Sequence, residues 1–285
     1  MGKKLEFTIE KQERLTSFLA SSVAGMTRAK ADLLIKSGEV RVNGLRVKTN
    51  AMLEAGDTMR VFVPDFVQNN GIRPYVVYED ENIVVFDKPK RTAYDSLPEL
   101  YGAPLFAVHR LDTNTTGLIV FAKTERAQEE LSAAFKDRRV DKTYQAVVCP
   151  APKEDRATLT AYTKLMPSQN TALVSDSPKP DYKTMITEYE VVERIGDAAV
   201  LEVKLHTGRT HQIRAHLAHI GCPIVGEHKY GSKTAQKLSG APDTQMLAAV
   251  SLKFYGLGKG LQYLNGKTFE AKSGFDLSFL RDGSK

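Results

Sequence analysis

Apolar residues recur at helical spacing early in the chain. Leu15, Phe18, Leu19 and Val23 share one face of a segment from Arg14 to Val23. A second helix is expected from Thr27, an N-cap residue type, through Ala31, Leu34 and Ile35 to a stop at Gly38. The period then falls to two. Val40-Arg41-Val42-Asn43-Gly44-Leu45-Arg46-Val47-Lys48 alternates about Asn-Gly, the strongest short hairpin signal. That loop sets Val42 opposite Leu45 and Val40 opposite Val47 on a buried side. It sets Arg41 across from Arg46 on the other side, with Lys48 close by. Pro64 to Pro74 is polar and turn-rich and reads as a linker.

Beyond it, residues 76–78 and 83–86 read as strands, as do the apolar runs 105–108 and 118–122. Thr124 caps an expected helix to about Asp137 that buries Leu131 and Phe135. Residues 142–148 alternate with Tyr144, Ala146 and Val148 on one face, and 157–163, 184–192 and 198–205 continue the strands. Residues 166–183 read as a long exposed loop. Thr210 is the expected cap of a helix whose apolar face is Ile213, Leu217 and Ile220, ended by Gly221, and Leu252-Lys253-Phe254 is strand-like. Strands outnumber helices without a regular βαβ rhythm. The expected class is α+β: a small N-terminal α/β module and a larger domain with a mostly antiparallel mixed sheet flanked by helices and loops. The boundaries are 1–64, a linker over 65–73, and 74–285.

The 285 residues are ordinary in composition, 42% hydrophobic and 26% charged. Net charge is +6, and residues 1–64 hold 11 Lys/Arg against 7 Asp/Glu, so most of the excess sits in the first module. Opposed like charges such as Arg41 and Arg46 destabilise a hairpin unless something neutralises them. A phosphate backbone would do so, and screening by salt is the blander alternative. Cys149 and Cys222 lie far apart in apolar contexts and read as reduced structural residues. Neither a signal peptide, a myristoylation motif (position 6 is Glu) nor a membrane-length apolar run is evident, so the expectation is a cytoplasmic protein.

Candidate chemistry centres on His109-Arg110-Leu111-Asp112-Thr113-Asn114-Thr115-Thr116-Gly117, a polar loop held between two apolar runs. The adjacent Arg110 can keep Asp112 ionised. A calcium loop would need a bidentate Glu at its twelfth position, where Lys123 stands. An aspartate pair for phosphoryl transfer would need an acid at Asn114. A lone nucleophilic carboxylate balanced by arginine needs neither. His206, His211, His216 and His219 form a second cluster. Only His216 and His219 share a helix face, and no acid occurs between Lys204 and Gly226, which disfavours zinc. His211 fits better as a loop-positioning or phosphate-contacting residue, while Arg209 and Arg214 flank a helix N-terminus that suits an anion.

Residues 14–63 resemble the alpha-L RNA-binding domain of a small-subunit ribosomal protein. The match is carried by Thr27-Arg28, by Ile35-Lys36-Ser37-Gly38-Glu39-Val40-Arg41-Val42-Asn43-Gly44 and by Gly56-Asp57. The resemblance implies contact with structured RNA through the basic helix and hairpin, with Arg28, Arg41, Arg46 and Lys48 as contacts. The remainder resembles an RluA-type RNA pseudouridine synthase, through three signatures in order: His109-Arg110-Leu111-Asp112 with Thr116-Gly117-Leu118; Lys142-Thr143-Tyr144-Gln145-Ala146; and Thr207-Gly208-Arg209-Thr210-His211-Gln212-Ile213-Arg214 with His216-Leu217. Departures from the family pattern fall at Thr115-Thr116, at Lys90–Tyr94 and at Leu247-Ala248-Ala249.

By that resemblance, a uridine in RNA is isomerised to pseudouridine after extraction from its helix. Asp112 acts on the ribose as nucleophile or base, Arg209 pairs with it, and Tyr144 stacks on the uracil and helps remove the carbon 5 proton. Arg110, His109, His211 and Arg214 contact RNA or substrate. No metal or organic cofactor is implied. The expected partner is RNA, most naturally large-subunit ribosomal RNA, with no membrane association and a monomeric chain. The alternative is a noncatalytic RNA-binding or RNA-chaperone protein on the same scaffold, but a pure binder has no need of Asp112, Tyr144 and Arg209 together.

Overall fold

The Asn43–Gly44 hairpin forms in the register expected, with Val42 facing Leu45, Arg41 facing Arg46 and Val40 facing Val47. Both turn residues take positive φ, 49° and 80°, the conformation that such a two-residue loop requires. The computed structural model describes residues 3–23, 26–63, 75–231, 240–258, 260–271 and 274–282. The linker expected over 65–73 lies outside the described residues.

Cα packing divides the chain into two units, Met1–Val76 with Arg91–Leu105, and Val77–Lys90 with Phe106–Lys285. The first contains β1 (Lys3–Thr8), β2 (Glu13–Arg14), α1 (Leu15–Ser22), α2 (Arg28–Ser37), β3 (Val40–Val42), β4 (Leu45–Val47), β5 (Met52–Leu53) and β6 (Thr58–Val63). Thr27 caps α2 by accepting the Lys30 N–H at 3.2 Å, and Gly38 closes it at φ 75°. Four strands form an antiparallel sheet in the order β1-β6-β3-β4. Its inner face, with Val40, Met59, Val61 and Val63, buries Leu15, Leu19, Leu34 and Ile35 of the helices. Leu45, expected on that side, is 75% exposed. It sits at the hairpin tip on β4, the edge strand of the described sheet. β1 was not anticipated; Leu5 and Phe7 alternate inward against the core. Residues 91–105, with α3 (Leu97–Tyr101), attach to this unit. Arg91 lies 3.5 Å from Glu39 and over the Phe62 ring, and Glu99 accepts the Thr27 hydroxyl.

The second unit is built on β7 (Tyr75–Glu79), β8 (Ile83–Lys88), β9 (Phe106–Ala107), β10 (Thr116–Ala122), α4 (Glu125–Lys136), β11 (Val140–Val148), β12 (Arg156–Met166), β13 (Thr171–Ser175), β14 (Lys183–Ile195), β15 (Ala198–Leu205), α5 (Gln212–His219), β16 (Leu247–Phe254), β17 (Thr268–Glu270) and α6 (Ser278–Asp282). The large sheet runs β13-β12-β14-β15-β11-β16-β10-β8-β7, with β9 beside β10 and β17 beside β16. Among the described pairs β10–β16 is the parallel one, so the sheet is mixed and mostly antiparallel. α4, capped by Thr124, packs Ala127, Leu131 and Ala134 onto Leu118, Val120 and Ala122 of β10. α5 lies against β13 and β14. Part of the supposed loop at 166–183 is therefore a strand. β13 pairs with β12 from Tyr162–Ser175 to Met166–Thr171, a hairpin too short for its own periodicity to announce.

Candidate active site

Three ties fix the Asp112 loop to the sheet. His109 Nε2 accepts the Val120 N–H at 3.0 Å while its ring stacks on Phe135 at 4.3 Å. Burial pulls this imidazole down to about 3, so it is neutral and acts as an acceptor. Lys88 Nζ, fully buried, donates to the carbonyls of Thr113 at 3.0 Å and Pro89 at 3.1 Å. Burial lowers this ammonium to about 7, against the opposing pull of Asp112 and Asp87. Gln245 donates to the Thr115 hydroxyl at 2.7 Å. Behind the loop, Gly117 has φ 96°, and a Cβ there would lie 2.1 Å from the Ala249 carbonyl of the parallel neighbour β16. Only glycine fits this crossing.

Asp112 opens onto a cleft of about 450 Å³ lined by Arg110, Lys142, Tyr144, Arg209, His211 and Arg214 among others. Tyr144 comes from β11 at a bulge, between Val203 of β15 and Ala249 of β16. It is buried, and desolvation followed by the Asp112 charge pushes its phenol well above the ordinary tyrosine range. The hydroxyl therefore keeps its proton at neutral pH. Burial also lowers the Lys142 ammonium.

The partner of Asp112 is Arg214, not Arg209. Arg214 Nη1 donates to Asp112 Oδ2 at 2.8 Å. Its other edge donates from Nε and Nη2 to both oxygens of Glu227, at 2.6 and 3.0 Å. Arg209 lines the same cleft but donates Nε to the Thr184 carbonyl at 2.9 Å. The helix geometry explains the difference. α5 starts at Gln212, so Arg214 lies inside its first turn facing the Asp112 loop, whereas Arg209 lies in the preceding turn beside β14. Arg214 is 9% exposed and Glu227 1%, which makes Arg214 part of a buried ion network rather than an RNA contact. Burial alone would raise the Glu227 carboxyl, but the Arg214 hydrogen bonds and charge, with the Lys229 and Tyr230 N–H groups, hold it below the usual carboxylate range. Arg214 is correspondingly raised.

The remaining expected residues separate into groups. His109, read as a substrate contact, lines the cleft but is engaged by Val120 and Phe135. His211 is buried between Asp112 and Tyr230. Arg110 is exposed at the cleft. Arg28, Arg41, Arg46 and Lys48 are all exposed in the first unit. His206, His216 and His219 go to Glu188, Thr187 and Asp176 and do not converge. Glu227 was not singled out in the sequence, and Lys88 and Tyr230, which match the family pattern weakly in Lys88-Pro89 and Tyr230-Gly231, carried no expected role. One signal for Glu227 was available: a buried arginine needs a buried acid, and Glu227 is the first acid after the acid-free run 205–226.

Among the described residues no helix is long and apolar enough to cross a membrane. The profile of the RNA pseudouridylate synthase family matches residues 75–219, and that of the S4 domain matches residues 13–58. An uncharacterized RNA pseudouridine synthase of Aquifex aeolicus is 33% identical over 91% of this chain and 92% of its own length. The ribosomal large subunit pseudouridine synthase C of Vibrio cholerae is 28% identical over 78% of each chain. The solved structure of human RNA pseudouridylate synthase domain containing 1 shares the fold, with a TM-score of 0.60 at 24% identity over 74% of this chain and 88% of that one. With its signature positions gathered around one cleft and an S4 domain ahead of them, the chain belongs to the RluA-type RNA pseudouridine synthases.

Proposed function

We propose that this enzyme converts specific uridines of large-subunit ribosomal RNA to pseudouridine, with Asp112 as the reacting carboxylate. The observation that carries the reading is the Asp112–Arg214–Glu227 network, which sets the half-buried Asp112 on the wall of the cleft against a buried Arg214–Glu227 pair. Glu227 holds the guanidinium from one side, so its free edge presents a fixed donor to Oδ2. Among the described residues, Oδ1 takes no hydrogen bond and is left for the ribose. Acting there, Asp112 assists cleavage of the bond between N1 and C1′. The uracil turns, C5 bonds to C1′, N1 gains a proton and C5 loses one, so atoms balance without a co-reactant. Tyr144, a protonated phenol on a rigid strand, offers a ring face to the uracil and a hydroxyl that can relay the C5 proton to water, taking it on oxygen while releasing its own. The target nucleotide must leave its helix to reach this cleft, and Arg110 at the cleft suits the displaced strand.

The S4 unit supplies the grip. Glu6, Arg60, Arg41 and Arg46 stand directly opposite one another on successive strands. Glu6 is engaged by Lys4 and Arg60, and among the described residues no carboxylate pairs with Arg41 or Arg46. Three arginines in a row on an exposed sheet face suit a polyanion such as a polynucleotide better than an apolar partner. The large-subunit target is supported by the name of the Vibrio relative. A pseudouridine map of ribosomal RNA from cells with and without the gene tests it. Loss of one or a few large-subunit sites is expected, and an unchanged large-subunit map rejects the target.

A further inference from the structure

His211 stands immediately before α5 with φ 56° and ψ 22°, a left-handed conformation that a side chain rarely adopts, and it makes no capping bond. The turn does not need its imidazole, because Gln212 Oε1 already accepts the Arg209 N–H at 2.9 Å and the Thr207 hydroxyl at 2.8 Å. The ring is instead aimed at two other groups. Nδ1 lies 2.7 Å from Tyr230 Oη, and Nε2 lies 3.8 Å from Asp112 Oδ2, the oxygen that Arg214 also holds. Tyr230 Oη in turn accepts the Ala172 N–H of β13 at 2.7 Å.

One assignment of protons satisfies this chain. Burial keeps the imidazole neutral, pulling it down to about 4, so it carries a single N–H. A nitrogen lone pair turned toward a carboxylate would be repelled, which places the proton on Nε2. Nδ1 is then an acceptor and takes the Tyr230 O–H, leaving a lone pair on Oη for Ala172. Which nitrogen bears the proton is thus decided by the bond at the other, the usual logic of histidine placement.

We propose that His211, oriented by Tyr230, is a positioning residue for Asp112: its Nε2–H holds Oδ2 on the Arg214 side so that Oδ1 points at the ribose. The inference rests on Asp112 being the reacting carboxylate. At 3.8 Å the contact is electrostatic rather than a hydrogen bond, and catalytic contacts of this kind tighten once substrate is bound. The same chain ties the β12–β13 hairpin to the catalytic carboxylate, although that hairpin contributes nothing to the lining of the cleft.

The test uses the full-length protein on large-subunit ribosomal RNA purified from cells lacking the gene. Tyr230→Phe keeps the ring beneath the Arg214 guanidinium but removes the donor to Nδ1. It is expected to lower the saturating single-turnover rate about tenfold while RNA affinity stays put, as for a lost bond to a group serving a charge. His211→Gln places an amide N–H near the Nε2 position, and His211→Asn places one near Nδ1. Asn tolerates the left-handed backbone better than Gln, so a purely structural role predicts that Asn is both the more stable and the more active variant. The positioning role predicts that Gln is the more active even where Asn melts higher. A wild-type rate for Tyr230→Phe, or activity that follows melting temperature with Asn above Gln, overturns the inference. Full activity of Asp112→Asn would instead overturn the reading beneath it.

Discussion

The two charged clusters of this enzyme obey opposite rules. The arginine row of the S4 sheet is exposed and, among the described residues, no acid pairs with Arg41 or Arg46, so its charge is directed outward. In the Asp112–Arg214–Glu227 network Arg214 and Glu227 are buried and Asp112 is half-buried at the cleft, and the one guanidinium is shared between both carboxylates. Surface charges of the first kind contribute little to stability and much to encounter with a polyanion. Charges of the second kind are strongly destabilising when one member is removed, because the others remain buried without a counter-charge. On the proposed reading, holding RNA and acting on it are separated by how each cluster is solvated.

The largest expected effect comes from Arg214→Gln, which strands the buried Glu227 and removes the partner of the half-buried Asp112. It should cost about 3–5 kcal/mol in urea unfolding and abolish activity. Arg209→Gln, which loses a bond to one backbone carbonyl, should fall within about 1 kcal/mol of the parent. Equal stability losses for the two would erase the distinction between Arg209 and Arg214.

A smaller effect is expected at acid pH. Glu227 is depressed in the folded state, so its contribution to stability is present above the unfolded carboxylate value of about 4.3 and is lost as pH falls through its lower folded value. Melting temperature should drop across that acid window, and Glu227→Gln should flatten the drop. An acid limb unchanged by the substitution would remove Glu227 from the network.

The smallest effects belong to the arginine row. Arg41→Gln, Arg46→Gln and Arg60→Gln should each leave melting temperature nearly unchanged. Each should weaken RNA binding a few-fold and reduce the slope of log affinity against log salt by about 0.7–0.9. An unaltered slope would show that this sheet face does not touch phosphate.

Local signals were legible in the chain wherever a neighbour a few residues away decides the structure. The Asn43–Gly44 turn, the Thr27 and Thr124 caps, the Gly38 stop and the apolar run of β10 form as read. The helix expected from Thr210 starts later because His211 adopts a left-handed backbone, which non-glycine residues take up only occasionally. β13 escaped notice because five residues stabilised by β12 and by Tyr230 carry no periodicity of their own. The choice between Arg209 and Arg214 could not be made locally at all. Asp112 lies 102 residues from Arg214, and the direction of α5 relative to the Asp112 loop settles which arginine arrives. Motif order brought the right segments together; the identity of the contacting atom came from packing.

The most direct test of the central claim is single-turnover pseudouridine formation by Asp112→Asn in the full-length protein, measured beside its binding of the same ribosomal RNA. The substitution keeps the size of the side chain and an oxygen for Arg214 while removing the charge proposed to act on the ribose. The account predicts no detectable pseudouridine with RNA affinity within a few-fold of the parent. Pseudouridine formed at the parental rate would contradict it.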